Sequence, residues 1–437
     1  MKKPIMILCG SLSLYCAQSL AGGPVCTPNN STSFQDFLNR AYTIGSDAMG
    51  DNTLTSQCTN LTDQQVLGTL DNCGVLDNPI NGLGLSPVDK FLYGMSPTDN
   101  RGIGTHLEMT FPFPAPGQPG DIMKADEVDV YRIGNDGGYQ NIGFISPPTE
   151  TATGDPNVHQ VVPIVHSAST FNQAGDMFML AYRTNYESSA NIMAGTGDVN
   201  YQAPQIVIGH VPSATLIAAN NGANNLNAVW TDVDDSSDPV CAAVVNEFRN
   251  QTNAFSDCVV SDFIANGNHD AAVDACLAVT DASGTTIMDR GIHDFAVSPS
   301  NGHFYAYDSQ TYSDKDVLIE VDPDANPMEA SCTEYADAGN GTRRLTSLMF
   351  SQQNKLVALF ADANTGVWID TSNGDINPLA TPVADFPHGD GSSLPFDMLR
   401  HAFGATVADL IFKNGFEDFI FANGFEGDPV PPTCPAF

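Results

Sequence analysis

The 437 residues of this chain carry 51 acidic side chains against 16 lysines and arginines, for a formal net charge of −35. Such a charge repels phosphate, which argues against binding to DNA, RNA or anionic lipid. The hydrophobic content of 42% allows a large core, and the length suits either two or three domains or one long repeat array.

The first residues predict an export signal. Lys2 and Lys3 precede a mostly apolar stretch over residues 4–20, and small residues place a signal-peptidase site after Ala21. This stretch is too short and too often interrupted for a good membrane span, and no later segment resembles one. We expect residues 1–21 to be removed and residues 22–40 to form a lead-in, with an uncleaved anchor as the alternative. The mature chain is then extracellular or on the cell surface, or else periplasmic.

Eight cysteines remain after residue 21, and an even number is typical of a disulfide-bonded exported protein. No CxxC pair is present, so the spacings do not predict a zinc site. The eight candidates for disulfide bonding are Cys26, Cys58, Cys73, Cys241, Cys258, Cys276, Cys332 and Cys434.

A strand–turn–strand phrase recurs along the chain. The segment 81–94 (NGLGLSPVDKFLYG) is closely matched by 293–306 (HDFAVSPSNGHFYA), and looser copies begin near Ser167 and Thr346. Each copy combines a short apolar strand, a turn rich in Pro, Asn, Asp or Gly, and a second strand.

Further strands follow these copies. Alternating segments flank turn residues within 128–143, 317–330 and 366–375, which is a hairpin signal. Each unit therefore has four strands, like one blade of a β-propeller. Because a lone four-stranded sheet exposes an apolar face and two edges, we expect an all-β array of about six or seven blades over residues 41–405.

Residues 238–279 depart from the strand pattern and predict a helical insertion. Asp238 followed by Pro239 is a good helix start, and apolar residues then recur at helical spacing. Within the insertion, Cys258 could pair with Cys241 or with Cys276. The second pairing needs less reversal of the chain, and both are left open.

Residues 406–437 form a tail that contains a doubled motif. The segment 411–417 (IFKNGFE) is followed by 420–426 (IFANGFE), outside the repeats. The final residues are rich in proline, which favours a loose conformation.

Two resemblances follow from these motifs. The phrases at 81–94 and 293–306 resemble an uncharacterised propeller-like repeat family of bacterial secreted and surface proteins, over roughly residues 41–380. The doubled Asn-Gly-Phe-Glu element resembles the short C-terminal motif of many exported gammaproteobacterial proteins. Both imply an exported protein, with sorting or surface retention as a hypothesis for the motif, and neither implies an activity.

The sequence shows no nucleophile elbow, phosphate loop or zinc-binding helix motif, so it predicts no catalytic residues and no organic cofactor. His293 and Asp294 are adjacent on a strand and point to opposite faces, so Asp294 is expected to cap a turn or strand end instead. A weak calcium candidate is the acidic loop before the insertion, for which a solvated loop with a helix cap is the alternative. Its carboxylates are Asp232, Asp234, Asp235 and Asp238.

Aromatic residues in the repeats could line a carbohydrate cleft, but their alternate strand positions favour packing between blades. They are Phe91, Tyr93, Tyr131, Phe178, Phe295, Phe304, Tyr305 and Trp368. The leading hypothesis is a non-enzymatic binding module for an unknown protein or carbohydrate ligand. A propeller hydrolase or lyase acting with calcium, and a disulfide-held matrix component, are the alternatives.

Overall fold

The structure is a computed structural model. It describes residues 40–46, 52–58, 64–69, 80–97, 127–134, 138–147, 158–161, 164–188, 199–201, 205–246, 275, 292–312, 315–335, 345–351, 354–360, 365–371, 376–379 and 388–393. Most of these residues lie in antiparallel β-strands.

The strands form five sheets, and each sheet runs from an innermost strand outward. Sheet 1 consists of β22 (His388–Ser393), β1 (Arg40–Ser46), β2 (Asn52–Cys58) and β3 (Gln64–Thr69). Sheet 2 consists of β4 (Asn81–Leu85), β5 (Leu92–Pro97), β6 (Val128–Ile133) and β7 (Tyr139–Ile145).

Sheet 3 consists of β9 (Ile164–Phe171), β10 (Met177–Ser188), β12 (Gln205–Val211) and β13 (Val229–Asp234). The short strands β8 (Val158–Val161) and β11 (Val199–Tyr201) pair with the far end of β10, and helix α1 (Ser213–Ala218) connects β12 to β13.

Sheet 4 consists of β14 (Ile292–Val297), β15 (Phe304–Tyr312), β16 (Lys315–Asp322) and β17 (Met328–Tyr335). Sheet 5 consists of β18 (Leu345–Phe350), β19 (Leu356–Phe360), β20 (Thr365–Ile369) and β21 (Ile376–Pro378). A short parallel pairing of β13 with β17 joins the outer edges of sheets 3 and 4.

The innermost strands close a ring. Strands β22, β4, β9, β14 and β18 pack against one another in that order, and β18 packs against β22 again. Sheet 1 closes the ring. It combines β22, the last described strand of the chain, with the first three strands, because β22 pairs with β1. The all-β, propeller-like fold predicted from the repeats is therefore confirmed.

The ring formed by the described residues has five sheets, so the predicted number of six or seven blades is corrected. The four copies of the repeated phrase supply the first two strands of sheets 2 to 5. The connections from β5 to β6 and from β13 to β14 are much longer than a hairpin. These long connections take up part of residues 41–405, which leaves room for fewer sheets than predicted.

The hydrophobic core lies between neighbouring sheets. One cluster joins sheets 2 and 3, where Tyr93 packs on Phe171 with ring centroids 5.3 Å apart. A second joins sheets 3 and 4 through Phe178 and Phe304 at 4.8 Å. Aromatic residues of the repeats thus pack between blades, as predicted, because each sheet is apolar on both faces.

The four repeated turns share one backbone feature. Sheets 2 to 5 turn from the innermost to the second strand over residues 86–91, 172–176, 298–303 and 351–355. Each turn has one left-handed residue with φ between 59° and 79°, namely Lys90, Gly175, Gly302 and Asn354. We call the side of the ring that carries these turns the turn face. The third strand of each sheet also ends there, so α1 lies on the turn face.

The insertion begins as the sequence predicted. Residues 239–246 are helical, and Asp238 caps this helix because its Oδ1 accepts the amides of Val240 at 2.8 Å and Cys241 at 3.1 Å. No helix within the described ranges is long and apolar enough to cross a membrane.

One disulfide bond lies within the described residues. Cys241 of the insertion is bonded to Cys332 of β17, 91 residues away. The pairing of Cys241 with Cys258 is therefore wrong, because the β13–β17 contact brings the start of the insertion to the edge of sheet 4. The alternative pair Cys258–Cys276 lies outside the described residues, and so do the residues of the predicted signal peptide and of the doubled motif.

Candidate functional site

Cross-strand pairs beside the turns place different chemical groups on the turn face. In each of sheets 2 to 5, one residue of the second strand lies opposite one residue of the third strand, so the two side chains share a face. The pairs are Tyr93–Arg132, Phe178–His210, Tyr305–Glu320 and Val357–Trp368. These equivalent positions therefore carry different side chains in the four sheets, and of the four pairs only Val357–Trp368 has no ionisable group.

The His303 cluster in sheet 4 is the most versatile of these groups. The Nδ1 atom of His303 lies 2.6 Å from Oε1 of Glu320, and its Nε2 atom lies 3.7 Å from Oδ1 of Asp322. The Tyr305 hydroxyl donates to the same Glu320 oxygen at 2.7 Å and accepts from Nδ2 of Asn301 at 3.2 Å. The side chains of His303 and Glu320 are 26% and 34% exposed, so solvent reaches the cluster.

The His303 cluster combines a fixed donor, an acceptor and an exchangeable proton. Burial, together with the hydrogen bond to Glu320, raises the pKa of Tyr305 above its usual range, so the phenol stays protonated at any physiological pH. A protonated His303 donates to Glu320 and attracts Asp322 electrostatically, whereas a neutral imidazole keeps only the hydrogen bond with Glu320. The cluster can therefore bind polar ligand groups or transfer a proton.

The Arg132 cluster in sheet 2 joins two sheets. The Nη2 atom of Arg132 donates to the carbonyl oxygen of Leu216 in the last turn of α1 at 2.5 Å. The Nε atom of Arg132 donates to the Tyr93 hydroxyl at 3.1 Å. Tyr93 in turn donates to Oδ2 of Asp89 at 2.5 Å. Burial raises the pKa of Tyr93 above its usual range, with Asp89 adding to the effect. A guanidinium at a helix C-terminus stabilises the free carbonyls, so this cluster holds sheet 2 to sheet 3.

The polar groups of sheets 3 and 5 also lie beside carboxylates. In sheet 3, the buried Nε2 atom of His210 lies 3.3 Å from Oδ2 of Asp176 without forming a hydrogen bond. In sheet 5, Nζ of Lys355 lies 2.6 Å from Oδ2 of Asp370 and 4.3 Å from the ring centroid of Trp368. The Lys355 ammonium is balanced by the Asp370 carboxylate, so it adds no net positive charge to the turn face.

A second polar cluster lies on the face of sheet 2 toward sheet 1. Burial raises the pKa of Asp129, while hydrogen bonds with Asn141 and Tyr131 act in the opposite direction. Burial and the nearby Asp129 raise the pKa of Tyr131 to about 12. The ring of Tyr131 packs edge-on against Tyr139 with centroids 5.9 Å apart. This cluster could hydrogen-bond a hydroxylated ligand, but Asp129, Asn141 and Tyr131 already satisfy one another.

The predicted calcium loop directs its carboxylates to different places. Asp235 is buried and accepts the amide of Ile206 at 3.1 Å, whereas the exposed Asp234 accepts the amide and hydroxyl of Ser236. Asp238 caps the following helix, and Asp232 lies in β13 opposite Val207.

These four carboxylates do not converge. Within the part of the chain that the structure describes, no group of three His, Cys, Asp or Glu side chains is arranged to hold a metal ion. Calcium binding by this loop stays a prediction from the sequence.

Asp294 also serves the backbone. Its two carboxylate oxygens accept the amides of Phe295 at 2.7 Å and of Leu348 at 2.6 Å. The neighbouring His293 has no described side chain, and sequence reasoning did not assign it a catalytic role. Asp294 links the innermost strands of sheets 4 and 5, which is a wider role than the cap predicted for it.

Sequence reasoning did not identify the His303 cluster, although part of its signal was present. His303 ends the turn 298–303 and Tyr305 follows two residues later in β15, so their side chains lie on the same side. Glu320 interrupts the otherwise apolar segment 317–321 of β16. The register of β15 against β16, which brings Tyr305 opposite Glu320, could not be predicted from the sequence.

Comparison with known proteins finds similarity in solved structures alone. No protein-family model and no curated protein matches this chain. Similar structures include the virginiamycin B lyase from Staphylococcus aureus, with 10% identity, a TM-score of 0.29, and coverage of 80% of this chain and 73% of the lyase chain.

Two further matches have comparable scores. A chain of a nidogen/laminin complex has 8% identity, a TM-score of 0.31, and coverage of 80% of this chain and 98% of that chain. A protein of unknown function from Bacteroides thetaiotaomicron has 10% identity, a TM-score of 0.31, and coverage of 85% and 70%. Scores this low carry no argument about activity.

The class of the protein therefore rests on its own strand order. Five radially arranged sheets with a closed ring of innermost strands define an all-β, propeller-like protein.

Proposed function

We propose that this protein is an exported, propeller-like binding module rather than an enzyme, with a protein or carbohydrate as its ligand. The observation that carries the proposal is the pairing of polar groups on the turn face. Arg132, His210 and Lys355 each contact a carboxylate or backbone partner that fixes the fold. The His303 cluster is partly exposed as well, so it can offer polar groups to a ligand.

Carbohydrate binding fits the chemistry of the His303 cluster. Carboxylate, amide and phenol groups offer the donors and acceptors that sugar hydroxyl groups require. The cluster is partly exposed, so a ligand can reach Glu320 and His303 without unfolding the sheet. A basic protein segment is the other ligand favoured by the acidic chain, because opposite charges accelerate association.

A binding test should use the purified mature protein and defined polysaccharides such as cellulose, chitin and alginate. We expect retention on at least one of them, or on an immobilised basic peptide, without release of soluble products. The variant Glu320→Gln should weaken the retention, and Thr333→Ser, an exposed change elsewhere in sheet 4, should not. Equal retention of wild type and Glu320→Gln would remove the His303 cluster from the proposal.

The second candidate is a hydrolase or lyase, favoured by the contact between His303 and Glu320. An imidazole held by a carboxylate is a common general base. If wild-type protein released products from a polysaccharide and His303→Gln abolished the release, the enzyme would replace the binding module.

Export is tested separately from ligand binding. The full chain should be expressed in a Gram-negative host, and the N-terminus of the mature protein measured by mass spectrometry. We expect cleavage after Ala21 and recovery outside the cytoplasm. Recovery of uncleaved protein in the cytoplasm would contradict the export proposal.

A further inference from the structure

The imidazole of His303 lies beside the carboxylates of sheet 4. Its Nδ1 atom is 2.6 Å from Oε1 of Glu320, and its Nε2 atom is 3.7 Å from Oδ1 of Asp322. Glu329 of β17 lies opposite Asp322 and on the same face, so a third carboxylate adjoins this pair. A positive charge at the position of the imidazole is therefore stabilised by its surroundings.

The elements that pack beside the His303 cluster bring no further charge to it within the described residues. The turn of sheet 3 contributes the uncharged Gln173, whose Nε2 donates to a turn carbonyl of sheet 4 at 3.0 Å. Sheet 5 contributes the hydroxyl of Thr371, which is hydrogen-bonded to Tyr305. Lys355 and its partner Asp370 lie on the opposite face of sheet 5. The ionisation of the imidazole therefore sets the charge balance of the cluster.

Each of the two carboxylates beside the imidazole keeps one oxygen for a ligand. Oε1 of Glu320 also accepts the Tyr305 hydroxyl at 2.7 Å, whereas Oε2 forms no hydrogen bond with the described residues. Oδ1 of Asp322 accepts the amide of Asp324 at 2.8 Å, and Oδ2 forms none with them either. The side chains of Glu320 and Asp322 are 34% and 43% exposed, so a ligand can reach them.

This arrangement favours an ammonium group over a guanidinium group as the ligand. A guanidinium binds best as a fork that uses both oxygens of one carboxylate, and here each carboxylate offers only one. An ammonium is a compact charge with three donors, so it can contact single oxygens of Glu320 and Asp322 together. Lysine carries this group on a flexible four-carbon stem, which suits a partly exposed site.

A protein segment fits the His303 cluster better than a sugar ring does. Stacking of a sugar requires an aromatic face that is open to solvent, and Tyr305 is only 4% exposed. The net charge of −35 also accelerates the approach of a basic segment over long distances. Both observations favour a basic protein as the partner.

We propose that the His303 cluster binds a lysine side chain of a basic protein partner in exchange for the proton of His303. The protonated imidazole places its own positive charge between Glu320 and Asp322, so it competes with the lysine. When the lysine binds, the imidazole releases its proton to solvent and keeps its hydrogen bond with Glu320. Binding therefore strengthens as pH rises through the range in which histidine changes charge. This inference rests on the proposed binding function, of which it names the partner and the regulation.

Labelled decalysine tests the exchange by fluorescence anisotropy with the purified mature protein at constant ionic strength. We expect the affinity to rise about fivefold to tenfold between about pH 5.5 and 7.5, because one proton is released for each lysine bound. His303→Gln keeps a donor beside Glu320 and does not titrate, so its affinity should stay constant over this range. Decaarginine should bind at least about threefold more weakly than decalysine.

Matched substitutions separate the site from the general charge of the chain. Glu320→Gln should weaken decalysine binding about tenfold, because it removes a carboxylate that contacts the ammonium. Glu127→Gln removes the same charge from an exposed position beside sheet 2 and should change the affinity less than about twofold. If Glu320→Gln fails to fold, Asp322→Asn is measured in its place and judged by the same criteria.

Other outcomes overturn the inference. Equal affinity of wild type and Glu320→Gln for decalysine, or a wild-type affinity that does not change with pH, would remove the exchange of lysine for a proton. Retention on chitosan without binding of decalysine would identify an amino-sugar polymer as the ligand. Retention on cellulose that Glu320→Gln abolishes, again without binding of decalysine, would leave the proposed binding function in place. Release of soluble products from a polysaccharide would overturn the proposed function itself.

Discussion

The carboxylate of Asp294 in sheet 4 accepts the backbone amide of Leu348 in sheet 5 at 2.6 Å. Asp294 is only 1% exposed, so this hydrogen bond is formed away from water, between two innermost strands of the ring. The closed ring is thus held by a buried polar side chain as well as by apolar packing.

Removing that carboxylate should destabilise the ring. We expect Asp294→Ala to lower the free energy of unfolding by about 2–4 kcal/mol, because two buried amides lose their acceptor. Asp294→Asn should have a smaller effect, since its amide oxygen can still accept one bond. Urea denaturation measures both, with Asp324→Asn as an exposed control. An Asp294→Ala change below about 0.5 kcal/mol would contradict the role assigned to this residue.

Gly84 is required where sheets 2 and 3 approach each other. A Cβ atom there would lie 2.4 Å from Cδ2 of Phe171. We expect Gly84→Ala to destabilise the protein by about 1–3 kcal/mol through overpacking. The second change Phe171→Leu should reduce this effect, and thermal unfolding of single and double variants gives the coupling.

Gly302→Ala is the matched control for that experiment. Its new Cβ would meet no atom within 4 Å, but its φ of +78° is left-handed. We expect a destabilisation of about 1–2 kcal/mol from backbone strain alone. Phe171→Leu should not reduce it, and a reduction would show that the first pair is not coupled through direct contact.

The disulfide between Cys241 and Cys332 should stabilise the edge of sheet 4. Cys241→Ser, Cys332→Ser and the double variant should each lower the free energy of unfolding by about 2–4 kcal/mol, because all three remove the same bond. Denaturation under non-reducing conditions provides the measurement. Peptide mapping that found Cys241 bonded to Cys258 would contradict the structure.

Asp235 should make stability fall as pH rises. Burial raises its pKa above the usual 3.8, so the folded state binds more protons than the unfolded state just above that value. The ionised form is therefore disfavoured on folding, and stability is lost as pH rises through the folded pKa. Asp235→Asn should flatten this part of the pH profile, measured as melting temperature against pH.

Asp234 provides the control of opposite sign. Hydrogen bonds from Ser236 lower its pKa, so its contribution is present above the usual value and is lost as pH falls through the folded pKa. Asp234→Asn should make the acid limb slightly shallower. Identical profiles for the two variants would contradict the assigned causes.

Local features of the fold could be predicted because their signals lie in adjacent residues. The phrase at 293–306 indicates an apolar strand, a Pro-Ser-Asn-Gly turn and a second strand, and these became β14, a left-handed turn at Gly302 and β15. Asp238 before Pro239 predicted the start of a helix for the same reason. Each depends on the alternation of side chains or on turn and cap chemistry.

Features that depend on register and closure could not be predicted in this way. The contact of His303 with Glu320 requires the pairing of β15 with β16, and the bond from Cys241 to Cys332 requires the outer edges of two sheets to meet.

By itself, the sequence determined the strongly acidic balance, the repeated strand–turn–strand units and the cap at Asp238. Only the tertiary structure decided that five sheets form the ring. When β22 pairs with β1, sheet 1 fills the space between sheets 5 and 2 and no further sheet fits there. The physical reason is that the number of sheets depends on how neighbouring apolar faces pack, and no single repeat encodes that packing angle.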